Sequence, residues 1–259
     1  MKSEKVVQRM QLLSFRCCKL RMATTMRDLY ISHISMFHEV FLDVEPLPDE
    51  YACHVSHLID YIETCKSLGF EFVSIDEILT KSSQDSIYKK CVITFDDGFA
   101  STLTVVAPLL ANMKVPFTVY VTTSYIGKHN YLSEKQLKAL AENPFCTIGM
   151  HGDRHIMFRY ETDSALEEDF CQCKKRLAAI INEEPRHYAF PYGSVLACSK
   201  RNVRVIKSLG VSSIALTSAL KLTQKDLRRP FHLPRLNIPG YYNGSMRRVF
   251  RGLPIGEKI

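Results

Sequence analysis

An α/β fold built as a distorted barrel of about seven or eight parallel strands is what this sequence predicts. Three observations carry that reading. From about residue 30 onward, short runs rich in β-branched and aromatic residues take turns with segments of helical periodicity. No repeat, low-complexity tract or Pro/Gly-rich linker divides the chain. The groups best suited to chemistry fall at or just after the ends of predicted strands, where a β/α barrel gathers its reactive residues.

The expected strands are 31–37, 70–73, 91–95, 116–121, 146–150, 187–190, 211–216 and 235–238. Between the first two, Asp49 is positioned to cap a helix whose Val55, Leu58, Ile59, Ile62 and Cys65 form one apolar stripe, and Gly69 to end it in the left-handed conformation. Ser74 with Glu77 and Ser133 with Gln136 have the spacing of capping boxes. A long amphipathic segment over 163–184 turns Leu166, Phe170, Leu177 and Ile181 inward, and another runs from Ser199 to Leu209 before Gly210. Strand and helix in alternation require crossover connections, hence a largely parallel sheet.

At 259 residues and 46% hydrophobic content the chain has ample material for a buried core. We expect residues 1–29 to be a basic, poorly ordered extension and 30–259 one catalytic domain, with Met22 or Met26 as alternative starts. No run approaches the roughly 18 apolar residues of a spanning helix, and Met10–Phe15 is too short for a signal peptide. A cytoplasmic protein is therefore expected. Lys2, Lys5, Arg9, Arg16, Lys19, Arg21 and Arg27 suit peripheral contact with an anionic membrane surface. Nine cysteines, an odd number in irregular spacing, fit reduced thiols better than disulfides, and no Cys-x-x-Cys pair argues for a zinc site. Despite the net charge of +7, no zinc-finger spacing or basic stripe with interleaved aromatics points to nucleic acid.

Chemistry enters with Thr94-Phe95-Asp96-Asp97-Gly98, two adjacent carboxylates directly after the apolar run 91–93. Neighbouring acids repel, and the arrangement makes sense if one carboxylate binds a metal while the other takes a proton from an attacking water. His151-Gly152-Asp153-Arg154-His155 follows another strand and offers two imidazoles. One carboxylate and two neutral imidazoles leave a divalent cation such as Zn2+ electrophilic and open to substrate. His33, His38, His54, His57, His129 and His187 lack such a context and are expected to be structural or exposed.

Together with Phe190-Pro191-Tyr192-Gly193, these segments resemble, in order, the first three motifs of the polysaccharide deacetylase family, the NodB-homology or carbohydrate esterase 4 group. Ser35-Met36-Phe37-His38, the stretch 69–79 and Leu233-Pro234-Arg235-Leu236 also look like family segments, so the resemblance covers about residues 31–240. It implies a NodB-like barrel and metal-dependent removal of acetyl groups from sugars. Residue by residue it makes Asp97, His151 and His155 the metal ligands, Asp96 the general base and the backbone N–H of Tyr192 an oxyanion donor. The implied cofactor is a divalent metal, Zn2+ first, with Co2+ and Ni2+ as substitutes. The implied partner is an acetylated saccharide, lipid-linked or nucleotide-linked if the protein is intracellular.

The chain departs from the family pattern at three places. Ala189 stands where an Arg often orients the base, leaving Arg235 to replace that charge. Gly152 replaces a Ser or Thr and is expected to loosen the ligand loop. The late Leu-x-His motif of the general acid is absent, and His232 is the nearby substitute. Amide and ester substrates both stay open, as does the alternative of an inactive saccharide-binding protein that keeps the barrel.

Overall fold

Runs buried on both faces form strands here because helices cover one side and barrel side chains fill the other. A computed structural model describes residues 32–43, 51–81, 89–218 and 222–240. Its strands are β1 (His33–Phe37), β2 (Glu39–Phe41), β3 (Ala52–His54), β4 (Glu71–Phe72), β5 (Lys90–Phe95), β6 (Phe117–Val121), β7 (Cys146–Met150), β8 (His187–Ala189), β9 (Ser213–Thr217) and β10 (Leu233–Asn237). The helices are α1 (Val55–Ser67), α2 (Ile75–Lys81), α3 (Ala107–Met113), α4 (Glu134–Ala141), α5 (Asp163–Ile181), α6 (Lys200–Ser208) and α7 (Gln224–Arg228).

Seven strands close a parallel ring in the order β1-β10-β9-β8-β7-β6-β5, with β5 returning to β1. The expected strand over 70–73 forms only the two-residue β4, which pairs with the start of β5 and stays outside the ring. A small parallel pair, β2 with β3, was not legible in the sequence. The ring is thinnest between β7 and β8, where Met150↔Tyr188 is the registered pair.

Phe37, Phe95 and Phe117 form part of the core, with Phe37 and Phe95 stacked at 5.6 Å between centroids. The stripe of α1 buries Leu58, Ile62 and Cys65. Its cap is not Asp49, which lies outside the described residues. His54 does that work, its side chain accepting from the Ser56 N–H. Gly69 takes the left-handed conformation at φ +79°, as expected. Ser133–Gln136 is a complete capping box, and Ser199 caps α6 in the same way. In α5, Leu166, Phe170 and Leu177 are buried, joined by Asp169 on the same face. Residues 1–31, including the basic segment, lie outside the described residues. Among those described, no helix is long and apolar enough to cross a membrane.

Candidate active site

The end of β5 delivers Asp96 and Asp97 to the barrel mouth, and the end of β7 delivers His151. The Asp96 N–H donates to the Phe37 carbonyl at 2.9 Å, extending the β1–β5 ladder, and the His151 N–H donates to Val121 at 2.9 Å. The chain then turns sharply at φ +71° for Asp97 and +53° for His155. Such values are costly for residues with a Cβ and persist where surrounding contacts enforce them.

Asp97, His151 and His155 converge. His155 Nε2 is 3.1 Å and His151 Nε2 3.5 Å from Asp97 Oδ1, and one ligand atom from each lies within 4.8 Å of the others. His151 Nδ1 is 2.8 Å from the Ala189 carbonyl, a bond that requires its proton and leaves Nε2 as a lone pair facing Asp97. It also ties β7 to β8 where the ladder is thinnest. Asp97 Oδ1 is buried and, although close to His155, receives no well-directed hydrogen bond. One carboxylate oxygen and two imidazole nitrogens converging in this way are a donor set that a divalent cation would complete, so these residues fit one.

Asp96 is held differently. The Arg235 guanidinium grips it through Nη1–Oδ1 at 2.6 Å and Nη2–Oδ2 at 2.7 Å, and Nη1 also reaches Thr94 Oγ1 at 3.2 Å. Both side chains are buried. The Arg235 group lies 5.2 Å from the Tyr120 ring centre, and Tyr120 packs with Ala189 and Ala215. The small Ala189 leaves room for that ring. Arg235 thus supplies from β10 the charge that the family often places at position 189, and Asp96 does not lack a cationic partner.

Burial opposes ionisation of Asp96, but Arg235, then His151 and His38, more than offset it and hold the carboxyl below its usual range. Burial likewise works against the Asp97 charge, and the facing His155, with His38 and His151, lowers its pKa nonetheless. Burial pushes the His151 imidazole down to about 4. His155 is lowered by burial yet raised overall by Asp97.

Sequence reasoning missed two residues here. Asp169 accepts from the Asp153 N–H at 2.8 Å, the Arg154 N–H at 3.0 Å and Arg154 Nε at 3.1 Å. It therefore pins the histidine loop from α5. A Cβ on Gly152, at φ +75°, would stand 2.7 Å from Asp169 Oδ2. The glycine does not loosen the loop as expected; it admits the carboxylate that fastens it. The signal was an acid on the apolar stripe of α5, between Leu166 and Phe170. The second missed residue is His38, directly after β1. The register Phe37↔Phe95 sets His38 beside Asp96, and its Nδ1 is buried without a hydrogen-bond partner among the described residues.

His232 is not brought to this group. It is exposed and precedes β10, at the strand end opposite the mouth, with Lys200 and Asp226 as its charged neighbours. Tyr192, at φ +61°, puts its ring 4.8 Å from His155. Tyr125 lies 5.7 Å from His155 and continues to Tyr131 and Phe99. These rings form an aromatic wall beside the acids and histidines.

A parallel barrel with paired acids and two histidines at its C-terminal mouth defines a hydrolase-type site. The family model for polysaccharide deacetylase matches residues 83–214, and the chain belongs to that family. It is 23% identical over 205 residues to a poly-β-1,6-N-acetyl-D-glucosamine N-deacetylase of Staphylococcus aureus, covering 73% of this chain and 68% of that protein. It is 26% identical over 117 residues to the putative polysaccharide deacetylase YxkH of Bacillus subtilis, covering 45% and 41%. Among solved structures, the fold is similar to a de-N-acetylase of Aggregatibacter actinomycetemcomitans, with TM-score 0.71, 19% identity and coverage of 85% and 99%. It is also similar to the Streptococcus pyogenes deacetylase PplD, with TM-score 0.73, 17% identity and coverage of 86% and 98%.

Proposed function

We propose that this protein is a divalent-metal-dependent deacetylase that removes N-acetyl groups from an amino sugar within a saccharide. The observation that carries the proposal is the pairing at the mouth of an Arg235-clamped Asp96 with the convergent lone pairs of Asp97, His151 and His155. Those three would hold the metal, with Zn2+ the best fit and Co2+ or Ni2+ able to take the same ligands. When bound, it would polarise the acetyl carbonyl and acidify the water, which a carboxylate base as weak as Asp96 requires.

In this reading Asp96 accepts the proton of the attacking water, while Arg235 fixes its plane and keeps it ionised. The Tyr192 N–H faces the charge developing on the carbonyl oxygen. His38, beside Asp96, gives a proton to the departing amine as its C–N bond breaks, yielding acetate and the free amino sugar. His38 replaces the histidine that the late motif lacks. The aromatic wall of Tyr192, Tyr125 and Tyr131 supports a sugar substrate, whose apolar faces pack on rings.

The Staphylococcus aureus relative is an N-deacetylase, which favours an amide over an ester. Against the alternative of an inactive saccharide-binding protein stand the pairing of Arg235 with Asp96 and the presence of His38 near the same carboxylate. The seven basic residues before residue 28 suit an anionic lipid-linked or nucleotide-linked carrier at the cytoplasmic membrane surface. Association with anionic vesicles that is lost in salt supports that part, and indifference to salt removes it. The main test is acetate release from β-1,6-linked N-acetylglucosamine oligomers and from O-acetylated sugars. Release from the oligomers should stop on chelation and return with Zn2+, Co2+ or Ni2+; release that survives chelation contradicts the proposal.

A further inference from the structure

A second group of metal-binding side chains lies at the other end of the barrel. His33 opens β1, Cys91 is near the start of β5, and Cys65 lies in the last turn of α1; all three are buried. The register of β1 on β5 pairs His33 directly with Cys91. His33 Nε2 is 3.3 Å from Cys91 Sγ, and the Tyr61 hydroxyl is 2.8 Å from His33 Nε2 and 3.0 Å from Cys91 Sγ. Ligand atoms of His33, Cys65 and Cys91 all lie within 4.8 Å of one another. Tetrahedral bonds of about 2.3 Å to sulfur and about 2.0 Å to nitrogen set such atoms roughly 3.5–3.8 Å apart, so little movement is needed to enclose an ion.

Packing alone is a poor account of this cluster. An imidazole, a phenol and two thiols all lose hydration when buried, and thiols return weak hydrogen bonds for that loss. His187, also buried at this end, shows the ordinary solution: it meets the Ser213 hydroxyl at 2.8 Å and the Asp76 carboxylate at 3.1 Å, hard partners with no sulfur among them. Around His33 Nε2 the Tyr61 hydroxyl is joined by the soft Cys91 sulfur at 3.3 Å, with the Cys65 sulfur within 4.8 Å.

We propose that His33, Cys65 and Cys91 form a second, structural site for a zinc-class divalent cation, with the Tyr61 hydroxyl at the fourth position. Binding releases one proton from each thiol, so two thiolates and a neutral imidazole balance a 2+ ion and leave no net charge in the apolar interior. A monovalent soft ion would leave one negative charge there. The ion would join β1, β5 and α1. Cys91 precedes Asp96 by five residues on one strand, so at about 3.3 Å per residue the two sites stand about 16 Å apart.

The test uses the full chain, reduced and stripped of metal, titrated with Co2+. The wild type should take up two equivalents. The Asp97→Ala/His151→Ala double variant should take up one and show sulfur-to-cobalt charge-transfer absorption in the near ultraviolet. Adding Cys65→Ser or Cys91→Ser should abolish that band. A folded double variant that binds no cobalt, or binds it without the band, overturns the proposal. A second measurement needs no variant: Asp97, His151 and His155 offer only oxygen and nitrogen as ligands, so X-ray absorption of wild type loaded with two equivalents of zinc should show sulfur scatterers. Nitrogen and oxygen alone would refute the site.

Discussion

Replacing Arg235 with Met removes the guanidinium and leaves the Asp96 carboxylate buried with its main partner gone. The pair is enclosed, and its two charge-assisted hydrogen bonds measure 2.6 and 2.7 Å. Bonds of this kind contribute about 1.5–3 kcal/mol each, and breaking a buried ion pair from one side costs about 3–5 kcal/mol. Arg235→Met should therefore lower the unfolding free energy by about 3–5 kcal/mol in urea titrations of metal-stripped protein at pH 7. Asp96→Asn should lose a similar amount, and the double variant should lose at least about 2 kcal/mol less than the sum. The acid dependence has a definite sign. The folded pKa of Asp96 is depressed, so the pair's contribution is fully present above about pH 4, its unfolded value, and fades as pH falls through the folded value. A loss below about 1 kcal/mol for Arg235→Met, with additivity in the cycle, would refute the clamp.

Gly152→Ser drives a side chain toward Asp169 Oδ2 from a left-handed backbone, so metal affinity at the mouth should fall about 10–100-fold in competition with a chromophoric chelator. Asp169→Asn should act in the same direction while leaving the ligands intact. His38→Gln should reduce kcat about 10²–10⁴-fold with metal content unchanged, and His232→Gln should leave kcat as it was. In metal-free protein the raised pKa of His155 makes protons compete for the site, so Zn2+ affinity should climb as pH rises through neutrality. The stability supplied by the Asp97–His155 pair should be full below about pH 6.5, the ordinary imidazole value, and be lost as pH rises through the folded pKa. Thermal unfolding of chelated wild type against His155→Gln reads that trend.

The strand pattern was legible because each ring strand is a short buried run with turn or cap residues at its ends. The two-residue β4 and the β2–β3 pair escaped because their pairing depends on neighbours, not on local composition. Asp96, Asp97, His151 and His155 stood out since adjacent acids and an i, i+4 histidine pair are odd without a cation. The charge swap between Ala189 and Arg235 was visible as a departure, but its completion depends on distance across the barrel. His38 showed only as the end of the Ser35–His38 segment, with nothing to mark it apart from other histidines, and the β1–β5 register alone brings it to Asp96. His232 erred the other way, near Arg235 in sequence yet at the wrong end of the same strand. The cysteine pair at positions 65 and 91 is equally silent, since a helix and a strand bring together residues that no short spacing links.

The most direct test of the catalytic account compares wild type with Asp96→Asn, both loaded with Zn2+ to the same measured content, for acetate release from β-1,6-linked N-acetylglucosamine oligomers. The account predicts steady release by the wild type and at least about a hundredfold loss in the variant, with oligomer binding retained. Equal release by the two proteins would contradict the assignment of Asp96 as the base.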